Sequence, residues 1–134
     1  MRAVCHNTAF LIVSTTEKSS SAADFDVVIV LTTIGVAADA DPATLARTLV
    51  EERLAACVNI LPAMTSLYRW GGRIEKDQER QLVIKTTRHR LVALEERVRQ
   101  LHPYEVPEFL VLPASGGSDA YIQWVGESTR LEPQ

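Results

Sequence analysis

Cys57-Val58-Asn59-Ile60-Leu61, a break at Pro62, then Ser66-Leu67-Tyr68-Arg69-Trp70 and Gln81-Leu82-Val83-Ile84-Lys85-Thr86 make up the stretch on which the fold turns. Its first and last pieces are dominated by apolar and β-branched residues, as in buried strands. The middle piece alternates, with Tyr68 and Trp70 on one face and Leu67 and Arg69 on the other. It reads as an extended continuation of the strand begun at Cys57. Gly71-Gly72 and Lys76-Asp77 compete as the turn into the strand at Gln81. Two strands therefore follow one another here.

Working outward, Asp26 to Thr33 (DVVIVLTT) is another unbroken run, as expected of a strand buried on both faces. Asp41 reads as an N-cap with Pro42 at the first helical position. Leu45, Leu49, Val50 and Leu54 give a helical stripe through about residue 55. Downstream, Thr87 reads as the cap of a second helix carrying Leu91, Leu94, Val98 and Leu101, which Pro103 ends. Phe109 to Leu112 is a fourth strand. Ser118-Asp119 caps a last helix bearing Tyr121, Trp124 and Val125.

The order β-α-β-β-α-β-α predicts an α+β, ferredoxin-like βαββαβ sandwich with an extra C-terminal helix. Two helices on one face leave the other sheet face bare. The first and fourth strands are apolar on both faces, and an uncovered apolar face marks an interface. Self-association follows from the pattern.

At 134 residues the chain has room for one domain, placed at 25–130 behind a polar lead-in over 1–24 with a Ser19-Ser20-Ser21 tract. The net charge of −3 argues against nucleic acid as the main partner. No run approaches the ~18 apolar residues of a membrane span. Cys5 and Cys57 make no disulfide framework, so a cytoplasmic setting is expected.

The connector Leu101-His102-Pro103-Tyr104-Glu105-Val106-Pro107-Glu108 brackets an imidazole, a phenol and carboxylates between two prolines. Fixed φ at both prolines makes it stiff, and stiff polar connectors are places where binding sites occur. His102 reads as a metal ligand or as a cap on the preceding helix, with Glu108 as an oxygen donor and Cys57 as a thiolate donor. Tyr68, Trp70, Tyr104 and Trp124 read as the wall of an intersubunit cleft or as interface anchors. Lys85, a cation inside an apolar strand, belongs with the same cleft and needs a partner: Glu79 or Glu108 across a subunit boundary, or an anion held in the cleft.

The segments Glu52 to Pro62, Ser66, Tyr68, Trp70, Gly72, Glu79, Leu82 to Thr86, His102 to Glu108 and Tyr121 to Trp124, in this order, resemble the CutA family of divalent-cation tolerance proteins. The resemblance implies a PII-like homotrimer, a role in the response to metal ions, copper binding in some members, and no enzymatic activity. In bacterial relatives with assigned copper ligands, a cysteine ends the first strand and two adjacent histidines precede the Pro-Tyr. Here those positions are Thr32 and Leu101-His102, so one of three ligands is kept. Weak binding of divalent copper, ahead of zinc, is the expectation.

Two rival readings come from other classes. One is a PII-like sensor holding a small molecule in clefts between subunits. The other is an enzyme, which finds no G-x-S-x-G, H-E-x-x-H or Gly-rich phosphate loop. RNA binding through the same fold lacks an aromatic on Gln81–Thr86 to stack a base.

Overall fold

The computed structural model describes residues 25–37 and 39–131. The expected lead-in over 1–24, with Cys5 and His6, lies outside the described residues. Five strands and three α-helices follow in order: β1 (Val27–Gly35), α1 (Pro42–Glu51), β2 (Cys57–Ile60), β3 (Met64–Trp70), β4 (Arg73–Thr87), α2 (Leu91–Leu101), β5 (Leu110–Pro113) and α3 (Asp119–Ser128).

Asp41 caps α1 as its sequence predicts: its carboxylate accepts the Ala43 N–H and the Thr44 hydroxyl, each at 3.2 Å. The helix stops at Glu51, short of the expected reach. Arg53 takes a φ of 60°, a left-handed turn that ends a helix. Leu54 and Ala55 then both donate back to the Leu49 carbonyl.

The strand expected to run from Cys57 to Trp70 is two strands. Pro62 has no N–H, and the ladder is interrupted between Ile60 and Met64. The turn question resolves to Gly71-Gly72, whose φ values of 60° and 78° are open to glycine and suit a two-residue hairpin. Lys76-Asp77 lies inside β4, a 15-residue strand whose second half is the run expected at Gln81–Thr86.

Thr87 is not the cap of the second helix. A 3-10 turn over Arg88–Arg90 precedes α2, and no side chain caps either. The Thr87 hydroxyl instead shares a buried hydrogen bond of 2.9 Å with Thr129, past the end of α3. At the start of α3, Ser118 Oγ accepts the Tyr121 N–H at 3.2 Å.

The strands run antiparallel in the order β2-β4-β1-β5, with β3 paired to the first half of β4. This is the order a split β-α-β unit gives. Val30 and Ile34 of β1 and Leu82 and Ile84 of β4 face one way, against Leu45 and Leu49 of α1 and Leu94 and Val98 of α2. Each such fully buried side chain is worth about 1.5–3 kcal/mol in transfer from water.

Among the described residues the other sheet face is covered at one end by α3, which packs Val125 against Val27 and Ala56, and near Glu79 and Gln81 by the segment after α2. Farther along it, Leu110 is 57% and Leu112 46% exposed. Arg73 to Gln78 of β4 pair with β3 and reach beyond β1, whose last partner on β4 is Glu79. That ribbon exposes Leu67 and Ile74 on one face and Trp70 on the other.

Candidate functional site

The connector after α2 closes the end of the sheet beyond β5. Leu31 is the last residue of β1 with a partner on β5. Two residues on, the Thr33 carbonyl lies past the end of β5 and meets no strand on that side among the described residues. His102 meets it: its Nε2 lies 2.7 Å from Thr33 O. The Tyr104 N–H donates to Nδ1 of the same ring at 3.0 Å. An N–H has only a proton to give, so Nδ1 is the acceptor and Nε2 carries the hydrogen given to Thr33. Both ring nitrogens are engaged, and the side chain is 7% exposed.

Two further bridges pin the connector. Tyr104 donates its hydroxyl to Glu79 Oε2 at 2.8 Å. Gln81 Nε2 donates to Glu108 Oε2 at 3.0 Å and to the Thr32 carbonyl at 2.8 Å. Between connector and ribbon lies a groove of about 690 Å³. Its floor is the alternating residues Tyr68 and Trp70 of β3 and Asp77, Glu79 and Gln81 of β4, which the register places on one face. Its opposite wall is Tyr104 to Glu108.

Four carboxylates line it, from Asp77, Glu79, Glu105 and Glu108, and no lining residue is Lys, Arg or His. Three of the four are already oriented: Asp77 accepts from the Tyr68 hydroxyl, Glu79 from Tyr104 and Glu108 from Gln81. The hydrogen bond to Asp77 pushes the Tyr68 phenol up to about 12. Burial, then the bond to Glu79, pushes Tyr104 higher still. Both phenols therefore stay protonated and donate.

Of the residues singled out from sequence, the groove gathers Tyr68, Trp70, Glu79, Tyr104 and Glu108. Cys57 sits elsewhere, half-buried in β2 opposite Lys85, its Sγ 3.9 Å from Asn59 Oδ1. Lys85 Nζ donates to the same Asn59 oxygen at 2.5 Å. Within one chain six residues of strand separate Lys85 from Glu79, roughly 20 Å at the usual rise, so the pairing expected between subunits is not one that a single chain makes. Trp124 packs on Tyr121 in α3, ring centres 5.5 Å apart.

Among the described residues, no group of three or more His, Cys, Asp or Glu side chains is placed to hold a metal ion. His102, Glu108 and Cys57 are not gathered into one centre. The donors of the groove are carboxylates and phenols, which suit hard cations, whereas copper and zinc favour imidazole and thiolate. The residues of one chain do not fit a closed copper or zinc centre. Asp77 and Gln81 were not anticipated as site residues. The signal is present as the period-two series Asp77, Glu79, Gln81, obscured while Lys76-Asp77 competes with Gly71-Gly72 as the turn.

Fold and groove together define a small α+β protein with an open antiparallel sheet and an acidic, aromatic groove at its end. The chain belongs to the CutA1 divalent ion tolerance protein family, whose model matches residues 28–128. It is 55% identical over 86 residues to the divalent-cation tolerance protein CutA of Thermus thermophilus, covering 64% of this chain and 84% of that one. It is 49% identical over 86 residues to a chloroplastic CutA of Arabidopsis thaliana, a match spanning 64% of this chain and 47% of the plant protein. The solved structure of the divalent cation tolerance protein from Thermus thermophilus superposes with a TM-score of 0.73 at 48% identity, covering 78% of this chain and 99% of that one. CutA1 from Oryza sativa gives 0.73 at 39% identity, over 81% and 97%. No helix among the described residues is long and apolar enough to cross a membrane.

Proposed function

We propose that this chain serves tolerance of divalent cations as a cytoplasmic, non-enzymatic homotrimer of PII-like architecture. The observation that carries the assembly is the sheet face left exposed at Leu110 and Leu112, together with a two-stranded ribbon that has no third strand among the described residues. Such ribbons are at best marginal alone. A neighbouring chain laid on Leu110, Leu112 and Trp70 would support both. The metal role is carried by family membership. The half-buried free thiol of Cys57 agrees with a reducing compartment.

Toward the ion itself, the donor set supports weak, exchangeable binding, copper ahead of zinc by the usual affinity order. Calorimetric titration of the full chain with Cu(II) and Zn(II), on samples sized by light scattering, tests both halves. Weak copper binding by a trimer supports the reading. Tight stoichiometric binding by a monomer overturns it.

A second reading, a sensor that holds a small molecule in clefts between subunits, is favoured by the groove. A carried small molecule in intact-complex mass spectra of freshly purified protein would support it.

A further inference from the structure

The connector over residues 103–108 is held almost wholly by side chains. Pro103 and Pro107 have no N–H to give. Among the described residues, no hydrogen bond joins the main chain of 103–108 to main chain elsewhere. Three other bonds carry it: the Tyr104 N–H on His102 Nδ1 at 3.0 Å, the Tyr104 hydroxyl on Glu79 at 2.8 Å, and Gln81 on Glu108 at 3.0 Å. All three lie within one chain. In each, the acceptor is a base in its proton-free form, one imidazole and two carboxylates. Imidazoles ordinarily take a proton near pH ~6.5 and carboxylates near ~4, so a falling pH reaches the imidazole first.

An imidazolium donates from both nitrogens. The Nε2–H of His102 would still meet the Thr33 carbonyl, 2.7 Å away. A new hydrogen on Nδ1 would face the Tyr104 N–H, donor against donor. We propose that His102 is a proton-operated catch on the connector: one proton taken up at Nδ1 releases the Tyr104 N–H and frees that wall of the groove, while sheet and helices stay folded. The titratable groups facing the connector are Tyr68 of β3, Asp77 and Glu79 of β4, and its own Tyr104, Glu105 and Glu108. β1 brings no charged side chain. On the last turns of α2, Arg97 and Arg99 are turned to Glu52 and Glu96. No cation of the groove lining therefore stands against the proton, and no side chain of that lining takes over as acceptor once it arrives. The catch works whether the groove takes a ligand or a neighbour's side chain.

Amide hydrogen exchange of the full chain, read by NMR between about pH 7.5 and about pH 5.5, tests it. Nitrogen-15 shifts of the His102 ring report its proton directly, with the exposed His89 as the reference for a free imidazole. Protection of the Tyr104 amide, corrected for the intrinsic effect of pH, should fall about tenfold per pH unit once the ring charges, the slope of one linked proton. The amides of Leu82 and Ile84, in the middle of the sheet, should keep their protection. His102→Asn offers an acceptor oxygen that does not titrate, and in that variant the step should vanish. Should His102→Asn fail to fold, the wild-type ring and amide curves decide alone.

A charged His102 ring beside a still-protected Tyr104 amide overturns the proposal. So does the same step in His102→Asn, or a ring that stays uncharged until the protein unfolds. Loss of Leu82 and Ile84 protection in the same step would make the event unfolding and overturn it as well.

Discussion

Tyr104 gives its hydroxyl hydrogen to Glu79 across 2.8 Å, and through that bond the connector after α2 is fastened to β4. Without it, a carboxylate buried beside the groove would have no donor from the connector. The same connector begins with His102, whose ring fills the place on the edge of β1 where β5 has ended. Its polar residues thus continue the sheet by side chains where main chain is lacking.

His102→Ala should therefore act on stability and not on metal. The substitution leaves the Thr33 carbonyl and the Tyr104 N–H without partners, and a buried polar group so orphaned costs about 1–3 kcal/mol. Chemical denaturation should show a loss of about 2–4 kcal/mol once the removed ring is included. Copper affinity of the folded variant should stay at the wild-type value. A large fall in copper affinity with unchanged stability would make His102 a ligand after all.

The tyrosines set an alkaline limit. Tyr68 is held up to about 12 by its bond to Asp77, Tyr104 is pushed up by burial and Glu79, and Tyr121 is pushed up by burial and the nearby Cys57. Each folded-state value lies above the unfolded value of about 10. Their contribution is thus fully present below about pH 10 and is lost as pH climbs through the folded values. Tyrosinate absorbance should stay silent through pH 10 in the folded protein and then rise together with unfolding. An early titration step in folded protein would show that a phenol had lost its carboxylate.

Gly126 has no room for a side chain. A Cβ built there would run into the ring of Phe25. Gly126→Ala should lower the denaturation midpoint by the equivalent of about 1–3 kcal/mol, the usual cost of overpacking. Adding Phe25→Ala should cost less in that background than in the wild type, because the clash is then gone. A strictly additive double mutant would place the ring elsewhere.

Assembly is read from mass and from one aromatic. Light scattering should give about three chain masses at micromolar concentration, with folding and association lost together. Trp70 is 56% exposed in the single chain, so its truncation should barely change a monomer. In an assembly that buries it, Trp70→Ala should cost about 3–5 kcal/mol per interface. A monodisperse monomer, or a trimer indifferent to Trp70→Ala, removes the ribbon from the interface.

The strands and helices were legible because their cores follow simple periods: Val28, Val30 and Ile34 at two-residue multiples, and Leu45 and Leu49 one turn apart. Asp41-Pro42 and Ser118 announced their helices through chemistry confined to a few neighbouring residues. Thr87 misled because its hydroxyl answers to Thr129, a residue far along the chain, and no local pattern records such a bond. The groove was half visible. Tyr68 and Trp70 stood out as aromatics, and the two prolines marked the connector. That His102 serves the Thr33 carbonyl depends on where β5 stops, and strand ends are set by tertiary packing.

β1 borrows both of its neighbours from later in the chain. Val28 pairs with Thr86 on one side and Pro113 on the other, and the helix that follows β1 supplies neither. During synthesis, Val27 to Ile34 therefore leaves the ribosome as an apolar segment with two open edges. It stays so until β4 has emerged. Bare strands of this kind are templates for pairing between chains. The burden on chaperones should fall on this first strand, and slowing translation between α1 and β4 should lower soluble yield more than slowing it after β5.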